Sequence, residues 1–229
     1  MIAVIGDVHG CFYTLEALYN KIQDKYPDIP IYCVGDLVDR GMNSFEVIRF
    51  FIRNNIRFTP GNHDYMFYAF VRDPDSQFAR SWIFNGNEST LKSYLEHFDC
   101  ISMHVDFIRN APLYYNTQDC FISHAGISAK YEKFLNPSVD LEDTELVGMI
   151  RSESESESGV LWTRDRLLNI GKMQVVGHTS QREVNYDSKS NVVYVDTGAF
   201  LGRKLSAVIV HQGEILEVLA ESTHRNDLK

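Results

Sequence analysis

The chain has 229 residues, 44% of them hydrophobic and 23% charged, with a formal charge of −9. That composition argues against disorder, and no apolar run approaches the ~20 residues of a spanning helix, so no membrane partner is expected. The negative charge disfavours nucleic acid, whose phosphates call for a basic face, and the length suits one α/β unit, read as a single domain over residues 1–229.

Residues 2–5, Ile-Ala-Val-Ile, read as a buried first strand. Neither a basic leader nor a cleavable apolar segment stands before it, so the expected location is cytoplasmic. Phe12, Leu15, Leu18, Tyr19 and Ile22 then recur at helical spacing; Pro27 and Pro30 close that helix, and residues 31–34 form a second strand. Asn43 and Glu46 have capping-box spacing ahead of a helix with Phe45, Ile48, Phe51 and Ile52 on one face. Residues 56–59 form the third strand. Helix is expected from there to about residue 110, packed down by Trp82, Leu91, Tyr94, Leu95 and Phe98.

From Leu113 the pattern turns to β, with strands expected at 113–116, 120–123, 174–176, 192–195, 206–210 and 214–219. Turn signals at 187–191 and 211–213 separate the last pairs, and a second sheet stacked on the first is the economical arrangement. Alternating strands and helices in the first half give an α/β class. Cys11, Cys33, Cys100 and Cys120 are too scattered for a C-x-x-C motif and read as reduced, structural thiols. Residues 152–159 alternate Ser and Glu without an apolar face, which reads as a solvated loop.

The strand ends carry the chemistry. The first three run into GDVHG (6–10), GDLVDRG (35–41) and GNHD (61–64); two later ones run into HAG (124–126) and GHT (177–179). Any one alone is a turn, since Gly, Asn and Asp suit turns. Together they bring two Asp, one Asn and three His to the strand ends where open α/β folds place ligands. Carboxylate, amide and imidazole without thiolate suit Mn, Fe or Zn, and the donors are too many for one tetrahedral ion. Two ions sharing one carboxylate, ~3.5–4 Å apart, fit phosphoester hydrolysis.

In order and spacing these motifs resemble the phosphoprotein phosphatase family of metallophosphoesterases, in its compact bacterial and phage branch. The resemblance spans residues 6–198 and implies a calcineurin-like α/β/β/α sandwich of two stacked mixed sheets. It implies two divalent ions, Mn²⁺ preferred and Fe or Zn as alternatives, that activate water for direct in-line attack on phosphorus. Asp7 and His9 would hold the first ion, Asp36 would bridge, and Asn62, His124 and His178 would hold the second. His63 would be the general acid with Asp39 as its partner. Arg40 and Arg164 would bind substrate phosphate, although Arg166 lies close enough in sequence to compete with Arg164. A strand into Asp196-Thr197-Gly198 also presents the aspartic-protease pattern, but that leaves the other motifs unexplained; Asp196 is read as structural.

The expected activity is a protein phosphatase acting on phosphoserine or phosphothreonine, with phosphotyrosine a further candidate; its partners would be phosphoproteins or phosphopeptides. A symmetrical diadenosine tetraphosphate hydrolase is the alternative, and a non-catalytic scaffold the alternative of another class. Asp39 in GDLVDRG favours the phosphatase over the hydrolase pattern GDLVARG. Asp64 departs from the GNHE more usual in protein phosphatases.

Overall fold

All four residues of the first strand, β1 (Ile2–Ile5), are buried, and their alternation between its two faces decides the layering. Ala3 and Ile5 pack with Leu15, Leu18 and Ile22 on the helix side, while Ile2 and Val4 pack with Ile122, Val175 and Val193 of a second sheet. The computed structural model describes residues 1–134, 148–150, 152 and 154–228.

The first sheet has β2 (Ile31–Cys33) and β3 (Arg57–Phe58) parallel to β1 on one side; on the other, β9 (Lys204–His211) pairs antiparallel with β1 and β10 (Glu214–Ser222) antiparallel with β9. The second sheet runs β4 (Tyr114–Asn116), β5 (Phe121–Ser123), β6 (Gln174–Val176), β8 (Val192–Tyr194), β7 (Asn185–Asp187), in which β5, β6 and β8 are mutually parallel. Two mixed sheets thus stack through an apolar layer. The outer face of the second sheet, including Phe121, packs with Ile127, Ile150, Leu161 and Leu168, beside a 3-10 helix (Ala129–Phe134).

The last two strands do not join the second sheet, as their position in sequence had suggested, but extend the first. Ile2 pairs with Val210 and Ile5 with Ala207, so β9 satisfies the backbone groups on the free side of β1. β7, Asn-Tyr-Asp, has too little apolar character to stand out in the sequence; the turn after it, ending in Asn191 at φ 53°, is where the sequence placed one.

Helices α1 (Phe12–Lys25), α2 (Ser44–Asn54), α3 (Asn62–Arg72), α4 (Gln77–Trp82), α5 (Asn87–Ser93) and α6 (Ile101–Arg109) cover the outer face of the first sheet. Trp82 and Tyr94 are buried as expected, but Leu95 and Phe98 are exposed, because α5 ends at Ser93 and its apolar face goes no further. Among the described residues no helix is long and apolar enough to cross a membrane. All four cysteines are free; Cys11, Cys33 and Cys120 are buried and Cys100 is half-buried.

The capping box expected at Asn43 and Glu46 does not form. Asn43 makes no cap bond and instead donates to Asp227 Oδ1 at 3.1 Å. Asp227, itself buried, accepts from the Tyr13 and Thr14 N–H groups, both at 3.0 Å, and from the Thr14 hydroxyl at 2.6 Å. Those N–H groups are first-turn donors of α1 that lack a partner within the helix. A residue more than two hundred positions away therefore caps α1, whose own N-cap, Cys11, supplies no side-chain bond. Asp227→Ala should lower folding stability by about 1–2 kcal/mol, read from urea denaturation. An unmoved midpoint would show that the cap contributes nothing.

Candidate metal centre

Six parallel strands, β1, β2 and β3 of one sheet and β5, β6 and β8 of the other, end at one rim. The loops interlock there so tightly that several positions admit only glycine, two of them against carboxylates of the site. A Cβ on Gly61 would lie 2.0 Å from Asp36 Oδ1, and one on Gly177 would lie 1.9 Å from Asp7 Oδ1. His9, Asp36, Asp39, Arg40 and His178 all adopt positive φ, between 46° and 72°. Left-handed backbone at non-glycine residues costs of order 1–3 kcal/mol each and persists where surroundings over-determine it.

The donors expected on the second ion are together. Asn62 Oδ1 lies 2.9 Å from His178 Nδ1 and 3.1 Å from His124 Nε2, and the two ring nitrogens are 3.2 Å apart. The other nitrogen of each ring faces a backbone carbonyl: His124 Nδ1 to Val34 O at 2.9 Å, His178 Nε2 to Trp162 O at 3.1 Å. Only an N–H satisfies a carbonyl, so the converging nitrogens carry lone pairs. Three lone-pair atoms then meet with no proton between them, an arrangement that repels unless a cation sits among them. Burial lowers the pKa of both rings, and for His178 the nearby His124 and Arg164 help push it down to about 3, which favours the neutral form that can ligate.

The first-ion donors follow the same logic. His9 Nδ1 donates to Val38 O at 2.9 Å, leaving Nε2 3.3 Å from Asp36 Oδ2; His124 Nε2 is 3.6 Å from that same oxygen. Asp36 thus lies between the two groups of donors. Although burial opposes ionisation, His124, His63, His9 and His178 hold the Asp36 carboxyl well below the usual range. Asp7 Oδ2 accepts from the His178 N–H at 3.0 Å, and its Oδ1 is buried without a partner among the described residues. Burial, Asp196 and Asp36 all raise the Asp7 pKa. An orphaned carboxylate oxygen beside other buried carboxylates is costly without a compensating positive charge. Asp7, Asp36 and His124 offer ligand atoms within 4.8 Å of one another, as do His9, Asp36 and His63. The residues present fit a pair of divalent cations.

Next to this cage, His63 Nδ1 lies 2.7 Å from Asp39 Oδ2. Asp39 is fully buried and also accepts from Trp82 Nε1 at 2.8 Å and the Thr90 hydroxyl at 2.7 Å. Burial raises its pKa, against the pull of His63. Arg40 donates one N–H to His9 Nε2 and another to His63 Nε2, both at 2.9 Å, and its guanidinium lies 4.1 Å from the centroid of the Phe200 ring.

Asp64, which the sequence marks only as a departure from a pattern, organises the loops. It accepts from Leu37 N at 2.8 Å, Val38 N at 3.3 Å and Gly61 N at 2.9 Å, so one buried carboxylate ties GDLVDRG to the first turn of α3. GNHD is itself that first turn, since α3 starts at Asn62. An acid at the third helical position that can reach back to the backbone was the available signal. Trp82, Thr90 and Phe200 carry no local signal.

Arg164 is exposed and makes no ion pair among the described residues, but is close enough to His178 to depress its pKa. Arg166 instead pairs with Glu132 at 3.4 Å on the surface. Asp196 accepts from the Ser180 hydroxyl and from Gly198 N at 2.9 Å, which fits a structural role. In the Ser/Glu segment, Glu153 lies outside the described residues, while Glu155 accepts from the Tyr65 hydroxyl on α3; this part is docked beside the helix that bears Asn62 and His63. Of the remaining histidines, His104 is fully buried with Nδ1 2.6 Å from the Tyr94 hydroxyl, and His211 lies 3.4 Å from Asp119. His97 stacks on Phe45, and His224 accepts from Asn226 N at 3.2 Å.

Comparison with known proteins agrees with this geometry. The bis(5'-nucleosyl)-tetraphosphatase PrpE (asymmetrical) of Anoxybacillus flavithermus is 30% identical over 241 residues, covering 94% of this chain and 92% of its own. The symmetrical bis(5'-nucleosyl)-tetraphosphatase of Neisseria gonorrhoeae is 27% identical over 274 residues, covering 94% of each. The crystal structure of a cold-active protein-tyrosine phosphatase from a psychrophilic Shewanella species shares the fold, with TM-score 0.59 at 20% identity over 97% of this chain and 80% of that one. Residues 1–209 match the family described as Calcineurin-like phosphoesterase, and to that family the chain belongs.

Proposed function

We propose that the protein hydrolyses the phosphate chain of a bis(5'-nucleosyl) tetraphosphate. The observation that carries this reading is the end-to-end similarity to two tetraphosphatases, over 94% of this chain and at least 92% of theirs. It displaces the protein phosphatase that the motifs alone favoured.

In this reading Asp7 and His9 hold one divalent cation, Asn62, His124 and His178 the other, and Asp36 lies between; manganese suits this oxygen and imidazole set, with iron and zinc as alternatives. Bound cations supply water acidified towards neutral pH and offset the charge of the phosphate oxygens. Arg40 now bonds His9 Nε2, the nitrogen needed as a ligand. Ligation there displaces that bond and frees a guanidinium N–H for substrate phosphate. Arg164, without an ion pair of its own among the described residues, is the second phosphate-binding arginine. His63, oriented through Nδ1 by Asp39, would present Nε2 to the leaving oxygen as general acid; for this the Arg40 bond at Nε2 must give way and Nε2 take up the proton from solvent before it is given.

A phosphoserine or phosphothreonine monoester is the second reading, favoured by the Asp39–His63 pair. A serine alkoxide needs a donated proton far more than a departing nucleotide phosphate does, because its conjugate acid is much weaker. Rates on diadenosine tetraphosphate and on a phosphopeptide, with one Mn²⁺-loaded preparation, separate the two. The expected kcat/KM is about ten-fold or more higher for the dinucleotide, and a chelator abolishes both. The reverse order overturns the proposal. Two ADP as product, or ATP with AMP, tells symmetrical from asymmetrical cleavage.

A further inference from the structure

A cavity of about 180 Å³ opens beside the second-ion cage, lined by Ala125, Thr163, Arg164, Asp165, Leu167, Thr179, Gln181 and Tyr194. Ala125 and Thr179 directly follow His124 and His178 in the chain, so the cavity abuts the proposed phosphate site. Its volume falls below the ~300 Å³ at which pockets for drug-sized ligands begin, which suits one heterocycle rather than a whole nucleotide.

Its lining is divided by chemistry. Ala125, Leu167 and the ring of Tyr194 provide apolar surface. The Asp165 Oδ2 atom accepts from the Ser128 hydroxyl at 3.0 Å and pairs with Lys130 at 3.0 Å, which partly offsets its charge. Gln181 donates one Nε2 hydrogen to Thr179 O at 3.0 Å, which fixes the amide plane and leaves Oε1 and the second hydrogen unused. A Gln amide with one acceptor and one donor side by side matches the N6 and N7 edge of adenine. A flat base with an aromatic side chain against it gains stacking energy as well.

We propose that this cavity is an adenine subsite, in which Gln181 reads the base edge, Tyr194 lies against the base, and Arg164 at the mouth faces the phosphates; it rests on the dinucleotide reading above.

Calorimetric binding of AMP and of ribose 5-phosphate to the full Mn²⁺-loaded chain tests it, because the two probes share a phosphate and differ by the base. AMP should bind about ten-fold more tightly, and more tightly than GMP. Gln181→Leu and Tyr194→Ala, each checked for folding by circular dichroism, should each remove most of that advantage. Equal binding of AMP and ribose 5-phosphate, or an advantage that survives both substitutions, overturns the subsite. If diadenosine tetraphosphate is not hydrolysed yet the AMP advantage is present and lost in the variants, the subsite stands and the proposed activity falls. If the dinucleotide is hydrolysed without any AMP advantage, the activity stands and the subsite falls.

Discussion

Asp36→Asn should abolish divalent-ion binding and turnover together, with kcat/KM falling by at least about 10³-fold. The substitution keeps the side-chain volume, and an amide oxygen can still accept the His63 N–H that Asp36 Oδ1 now accepts at 2.9 Å. It removes the one negative charge placed between His9 Nε2 and His124 Nε2, at 3.3 and 3.6 Å. Calorimetric titration with Mn²⁺ beside steady-state kinetics gives the comparison. Retention of two bound ions with activity near wild type would mean that Asp36 does not bridge.

His63→Asn should separate what Asp36→Asn joins. Ion binding persists, because His63 is placed outside the ligand set, while kcat falls by about 10²–10⁴-fold, most on substrates with alkoxide leaving groups and least on p-nitrophenyl phosphate. Asp39→Asn should follow the same pattern. An Asn oxygen can still accept from Trp82 Nε1 and His63 Nδ1, but the amide lacks the negative charge that holds a proton on the His63 ring. A loss of equal size across all leaving groups would show that the pair orients substrate and does not supply a proton.

The metal centre was legible in the sequence because each proposed ligand sits directly after a strand, next to glycines, and strand ends of parallel sheets share a rim. Asp7, Asp36, His124 and His178 could be placed there without coordinates. What surrounds them could not. Trp82 reads as a core aromatic and Thr90 as an ordinary helical residue, yet both bond Asp39 from more than forty positions away. Contacts at that sequence separation follow from how α4 packs on α3 and α5 on α2, which no local pattern encodes. Membership of the last hairpin in the first sheet was hidden for a related reason, since continuous burial along β9 fits either sheet and only pairing with β1 decides it. Asp227 escaped because a helix cap is sought next to its helix.

The structure distinguishes the two candidate arginines in one respect. Arg164 and Arg166 are equivalent candidates in sequence, but Arg166 is committed to Glu132, whereas Arg164 borders both His178 and the cavity beside it. Substrate class was not legible from GDLVDRG, because the Asp39–His63 pair serves any leaving group that accepts a proton. Similarity along nearly the whole chain is what favours the dinucleotide in the proposed function.

Anomalous diffraction from crystals grown with Mn²⁺ tests the central claim most directly. Two peaks ~3.5–4 Å apart are expected on either side of Asp36, one bonded to Asp7 and His9, the other to Asn62, His124 and His178. A single peak away from Asp36, or none at this rim, would contradict the account.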